Sequence, residues 1–132
     1  MSTLQPGQAL PELVLPAISR HTLALYCGGS GDHNPLHVDS DFARSAGLDD
    51  VIAHGMLVMA YLARLLTNVF HPEHLRAWRV RFLEMTHVGD VITCQAVVRA
   101  RCADTIELDI TARRQDGTLV AAGEATLQIG GV

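Results

Sequence analysis

The chain has no lysine: all ten of its basic residues are arginine. That excludes Schiff-base catalysis by an internal lysine and a Walker-type phosphate loop, since both depend on a lysine amine. The arginines are scattered along the chain, a pattern of genome composition rather than of phosphate recognition. Cysteine is scarce: Cys27, Cys94 and Cys102 are odd in number and show no Cys-x-x-Cys spacing. Neither a disulfide framework nor a zinc site is expected from them. No apolar run reaches the roughly 18 residues that a membrane-spanning helix needs. The opening Met-Ser-Thr-Leu-Gln-Pro-Gly lacks the charged and apolar regions of a signal peptide, so a cytoplasmic setting is expected. Positive charge is not in excess either. A net charge of −4 argues against a nucleic-acid or anionic-membrane surface as partner.

The remainder is the composition of an ordinary globular protein. With 132 residues, 48% of them hydrophobic and 18% charged, one domain over 1–132 has enough material for a core. No linker, repeat or low-complexity segment divides it. The chain is organised around Gly55 to Thr67, where Arg64 is the only charge and no apolar stripe separates from a polar one. A helix apolar all round is a buried helix. At about 1.5 Å per residue it is roughly 20 Å long, too short to cross a bilayer, so protein has to wrap it. Met56, Met59 and Tyr61 on this helix are better read as core residues than as the lining of a tunnel. Strand-like segments follow with no second long apolar helix, which favours one antiparallel sheet curled around one helix.

In chain order, Glu12-Leu13-Val14-Leu15, closed by Pro16, reads as an edge strand. Ser19 caps a short helix through Tyr26 that Gly28 and Gly29 end, and Asp39 caps a second one to Ala46 that Gly47 ends. After Pro72 the pattern alternates. Trp78, Val80 and Phe82 share a buried face while Arg79 and Arg81 point out. Gly89-Asp90 turns into a strand over 91–101, and Ala103-Asp104 turns into one over 105–113 in which Ile106, Leu108 and Ile110 share a face. Asp116-Gly117 is a hairpin signal leading to a last strand over 118–129. The fold class is α+β, with about five strands.

The densest chemistry lies in Ser30-Gly31-Asp32-His33-Asn34-Pro35-Leu36-His37. Pro35 biases Asn34 away from helical backbone, predicting an ordered, extended loop. Bent around Pro35, the loop can point Asp32 and His37 at one water, and a carboxylate and an imidazole at one point form an acid/base pair. Alone, the two residues are better read as a turn brace and a hydrogen-bonded core histidine. The Gly-rich approach, the proline and the adjacent buried helix favour catalysis. His33 and His37 have zincin-like spacing, but Pro35 between them breaks the shared helical face, so no metal is expected. Ser30 lacks the Gly-x-Ser-x-Gly context of a nucleophile. Gly55, after His54, is either a packing glycine or the residue whose free N–H, at the positive end of the helix, stabilises an oxyanion.

Tyr26 through Ala43, with its Ser-Gly-Asp-x-Asn-Pro-x-His run, resembles the signature of the MaoC-like (R)-specific enoyl-CoA hydratases. The resemblance continues through Ile52-Ala53-His54-Gly55-Met56, Val80-Arg81-Phe82-Leu83 and Val88-Gly89-Asp90 to the Asp-Gly hairpin, nearly the whole chain. It departs at Met85-Thr86-His87, where relatives often carry a proline. It implies the hotdog fold, with Asp32 and His37 as catalytic pair, Gly55 as oxyanion donor and Asn34 supporting the loop. The implied reaction is reversible syn hydration of a trans-2-enoyl thioester to a (R)-3-hydroxyacyl thioester, with no cofactor beyond the CoA that carries the acyl group. The implied assembly is a homodimer with sites near the interface. A hotdog thioesterase, a non-catalytic subunit of a heteromeric hydratase and a domain that only binds acyl groups are the competing readings.

Overall fold

The computed structural model describes residues 4–130; Met1 to Thr3, at the start of the stretch read for a leader, lie outside them. Five strands form one antiparallel sheet in the order β1-β3-β4-β5-β2. They are β1 (Leu13–Val14), β2 (Leu75–Phe82), β3 (Thr93–Cys102), β4 (Thr105–Arg113) and β5 (Leu119–Gln128). Three α-helices, α1 (Arg20–Ser30), α2 (Ser40–Ser45) and α3 (Gly55–Thr67), lie between β1 and β2. This is the α+β hotdog arrangement, with α3 lying against β3 and β4.

The sheet forms where apolar residues alternate. Cys94, Ala96 and Val98 of β3 and Ile106, Leu108, Ile110 and Ala112 of β4 all point to the buried face, as a side-chain period of two requires. Burial among them pushes the Cys94 thiol up to about 12. Turn chemistry closes the ladder. Asp116 accepts the Thr118 N–H at 2.9 Å while Gly117 takes φ +85°, a conformation that glycine reaches without a Cβ clash. The bounds of α3 and β4 coincide with those expected. Asp39 caps α2 by accepting the N–H groups of Asp41 and Phe42, and Ser19 caps α1 by accepting that of Thr22.

Three expectations need correction. Gly28 and Gly29 do not end α1. The helix runs through them to Ser30 and stops at Gly31, whose φ of +76° lets its N–H bond back to the Cys27 carbonyl. Backbone entropy makes a helical glycine unfavourable but does not forbid it. Trp78 and Val80 are half-buried rather than buried, and Phe82 is 49% exposed, because β2 is the last strand of the sheet and Phe82 its last residue. Finally, α3 is covered on one side only. Leu57, Val58, Leu62, Leu65 and Leu66 are buried, whereas Met56, Ala60 and Arg64, one turn apart, are exposed.

Candidate active site

The segment after α1 is ordered by a run of short-range hydrogen bonds. Asp32 donates its backbone N–H to Ser30 Oγ at 3.1 Å, which occupies the hydroxyl as a turn brace. Asp32 Oδ1 accepts the Asn34 N–H, and Asn34 Oδ1 accepts that of Leu36. Such side-chain bonds two residues on favour turns over helix. Asn34 keeps the extended backbone expected before a proline but caps a single 3-10 turn over Pro35–His37. The loop is therefore tighter than the extended one read from sequence, because the Asn34 side chain and the fixed φ of Pro35 together close one turn.

That turn brings His37 back against the strand-like segment before α3. The His37 Nδ1 lies 2.7 Å from the Ile52 carbonyl, and Ile52 returns its N–H to the Leu36 carbonyl at 3.1 Å. A carbonyl only accepts, so Nδ1 carries the proton and Nε2 of the neutral ring keeps a free lone pair. Asp32 is exposed and His37 half-buried. The same stretch anchors α3, because Ala53 donates to the Thr86 carbonyl at 2.8 Å.

The structure adds a residue that sequence reasoning noted only as the neighbour of Gly55. His54 is 1% exposed, stacks on His37 with ring centroids 3.8 Å apart, and meets Tyr26 edge-on at 4.7 Å. One donor atom each from Asp32, His37 and His54 lie within 4.8 Å of one another, and His33 is not part of this cluster. A carboxylate with two imidazoles is a donor set that a divalent cation can use. Here the His54 Nε2 is already engaged by the Asp32 carbonyl and the Cys27 sulfur, both at 3.3 Å, which favours a hydrogen-bonded cluster over a metal centre. Burial, and then the proximity of His37, hold the His54 pKa below the ordinary histidine value. Burial raises the pKa values of Tyr26 and Cys27, and the Asp32 charge adds to both.

His37 is the member of the cluster that lines a cleft of about 400 Å³, whose walls also include Gly55, Val58, Phe82, Leu83 and Met85. Gly55 is the first residue of α3 and is exposed. A Cβ on it would lie 3.3 Å from the Phe82 ring, so the packing reading is satisfied in part. The N–H readings are not exclusive of it, because the first turn's N–H groups have no intrahelical acceptor. Met59 and Tyr61 do not line this cleft, and neither does Met56, which is 52% exposed.

Residues 5–116 match the MaoC like domain. The chain belongs to the MaoC-like hydratase/dehydratase family. It is 30% identical over 111 residues to the (R)-specific enoyl-CoA hydratase of Aeromonas caviae, covering 81% of this chain and 83% of that protein. The solved structure of the (R)-hydratase from A. caviae involved in PHA biosynthesis superposes with a TM-score of 0.88 at 26% identity, over 98% of this chain and all of that one (100%). Identity reaches 35% over 111 residues, 80% of this chain, with the fatty acid synthase subunit beta of Aspergillus oryzae, of whose length the MaoC-like chain spans 5%. The family is thus tied to fatty acid metabolism, and no helix among the described residues is long and apolar enough to cross a membrane.

The depressed His54 pKa has a consequence for stability. An unfolded histidine binds a proton near pH 6.5, whereas folded His54 resists protonation until lower pH, so between these points the unfolded state holds more protons. The contribution is complete above about pH 6.5 and is lost as pH falls below it toward the folded value. Urea midpoints measured across that range should decline for the native chain. The decline should be shallower for His54→Gln, and equal slopes would overturn the assignment to His54.

Proposed function

We propose that this MaoC-like chain is an (R)-specific enoyl-CoA hydratase, adding water reversibly to a trans-2-enoyl thioester. The observation that carries this reading is the closeness of Asp32 and His37, with donor atoms within 4.8 Å, where His37 lines an apolar-walled cleft that Gly55, the first residue of α3, also lines. The pair carries one transferable proton: as hydroxide from the water adds at Cβ, the unprotonated member takes the water's other proton and the protonated member gives its proton to Cα. His37 acts through Nε2 in either direction, because Nδ1 is committed to Ile52. Hydroxide addition at Cβ puts negative charge on the thioester oxygen, and in this reading the Gly55 N–H at the positive end of α3 stabilises it. Asn34 holds the loop that carries the pair. The reaction needs water and the CoA thioester and no further cofactor.

The assembly that fits is a homodimer. The long strand β2 ends the sheet with its outer edge unpaired among the described residues, and the exposed row Met56, Ala60 and Arg64 leaves one side of α3 uncovered. Open sheet edges and apolar helix faces are the surfaces that association covers. The solution mass should be about twice the 14.3 kDa of one chain. A monomer at micromolar concentration would overturn this.

Asp32→Asn and His37→Gln retain size and much of the hydrogen bonding but not proton transfer. Each should lower crotonyl-CoA hydration by about 100-fold or more with melting temperature little changed. The double variant should be little worse than the poorer single one, because groups acting on one water are not additive. Near-native turnover in folded Asp32→Asn would sink the mechanism. Thioester cleavage without hydration would make the chain a thioesterase, and no turnover by the native chain would make it a binding or non-catalytic subunit.

Gly55 is tested by a pair of substitutions. Proline is tolerated at the first position of a helix, and the extended backbone of His54 (φ −61°, ψ 135°) suits a following proline. Gly55→Pro therefore removes the N–H while keeping α3, and Gly55→Ala supplies the same Cβ beside Phe82 with the N–H intact. Turnover of the proline variant should fall about 100-fold below that of the alanine variant. Equal rates would remove Gly55 from the oxyanion role.

A further inference from the structure

His54 is polar, almost fully buried and assigned no step in the proposed reaction. Among the described residues its Nδ1 is buried without a hydrogen-bond partner, which is costly for a buried acceptor. An apolar ring of similar shape would stack on His37 without that cost. The advantage of the imidazole therefore lies at its other nitrogen. Nε2 faces the Asp32 carbonyl and the Cys27 sulfur, each at 3.3 Å. The carbonyl can only accept, so Nε2 carries the hydrogen and Nδ1 is the bare, unsatisfied atom. The titratable groups facing this ring are Tyr26 and Cys27 from α1, Asp32 from the loop and His37 from the 3-10 turn.

We infer that His54 is the positioning residue for the Asp32–His37 pair, setting the carboxylate through the Asp32 backbone and the imidazole through its stacked ring. The inference rests on the hydratase reading for its kinetic part. His54 precedes the rigid helix α3, and its ring touches both reacting side chains' supports at once. The hydrogen bond to Asp32 spans 22 positions of sequence and, among the described residues, is the one hydrogen bond between the Asp32 backbone and the helix start; the other bonds of Asp32, to Ser30 and Asn34, are local. His37 has the Ile52 carbonyl on one edge and the His54 face against its plane, so its Nε2 direction is defined by both. Removing the Nε2–H frees the Asp32 carbonyl. The carboxylate then moves relative to His37, while the cleft that binds the acyl group, which His54 does not line, is unchanged.

His54→Phe keeps a flat ring and loses the hydrogen bond; His54→Gln loses the ring but its amide can still donate to the carbonyl. Crotonyl-CoA hydration by His54→Phe should show kcat reduced about tenfold or more with KM within about twofold of native, since misplacement of reacting groups affects chemistry rather than binding. His54→Gln should recover part of kcat. Nitrogen-15 spectra of the imidazoles supply a readout that needs no activity. Native His37 should appear as a single Nδ1–H tautomer, and in His54→Phe its signals and the amide signals of Asp32 to Asn34 should change. Loss of activity that merely follows the folded fraction, or a His54→Phe protein with native His37 and loop signals, would overturn the inference. If the native chain hydrates no enoyl thioester, the hydratase reading falls, and changed signals in His54→Phe still uphold His54 as the residue that positions the pair.

Discussion

Two hydrogen bonds between the loop and the segment entering α3 hold the site together. His37 gives its Nδ1–H to the Ile52 carbonyl at 2.7 Å, and Ile52 gives its N–H to the Leu36 carbonyl at 3.1 Å. Without them and the bond from His54 to the Asp32 carbonyl, residues 30–37 would be a surface turn ordered only by local bonds. With them, the turn is fastened to a segment that is itself paired through Ala53 to the Thr86 carbonyl and through Ile52 to His87. The carboxylate, the imidazole and the start of α3 then share one frame. Local turns of this kind exchange easily with solvent-bonded alternatives, so it is the long-range pair that makes the arrangement specific.

The sheet contributes rigidity rather than chemistry. Its inner face is the alternating apolar row of β3, β4 and β5, which seats Leu62, Leu65 and Leu66 of α3. That fixes the height at which the helix begins, and the first turn of α3 opens beside Phe82 where β2 ends. Gly123 on β5 has no room for a Cβ, which would fall 1.9 Å from the Arg79 carbonyl oxygen. The close approach of β5 to β2 at that point brings the end of β2, and with it Phe82 and Leu83, to the cleft. The proposed reacting groups thus come from one loop, while the walls come from the sheet edge and the helix.

Buried polarity in this molecule is concentrated next to the candidate site. Among the described residues, the buried polar side chains are His54, Thr86 and Asp90. Asp90 accepts the His87 N–H at 2.8 Å and a hydrogen from Gln115 at 3.0 Å, so it holds the turn that carries the Thr86 carbonyl to Ala53. His54 sits on the other side of that pairing. A polar group is expensive to bury unless it is bonded, and here the bonds converge on one short segment, residues 52–54, which faces both the loop and the cleft.

Much of this was legible in sequence because the signals are local. The bounds of α3 follow from an unbroken apolar run, the cap at Asp39 and the hairpin at Asp116-Gly117 from side chains that bond their own backbone two or three residues on, and the strand β4 from its alternation. The proximity of Asp32 to His37 was likewise readable, since Pro35 lies between them and bends the chain. Tertiary structure alone decided the rest. That α1 continues through two glycines, that Phe82 faces solvent and that α3 is bare along Met56, Ala60 and Arg64 depends on which surfaces the sheet covers, and coverage is not encoded in any short window. The place of His54 is the plainest case. Its neighbours Cys27, Asp32 and His37 are brought to it only when the loop folds back on the helix start, because a hydrogen bond or a ring contact between residues far apart in sequence exists only once the intervening chain has closed.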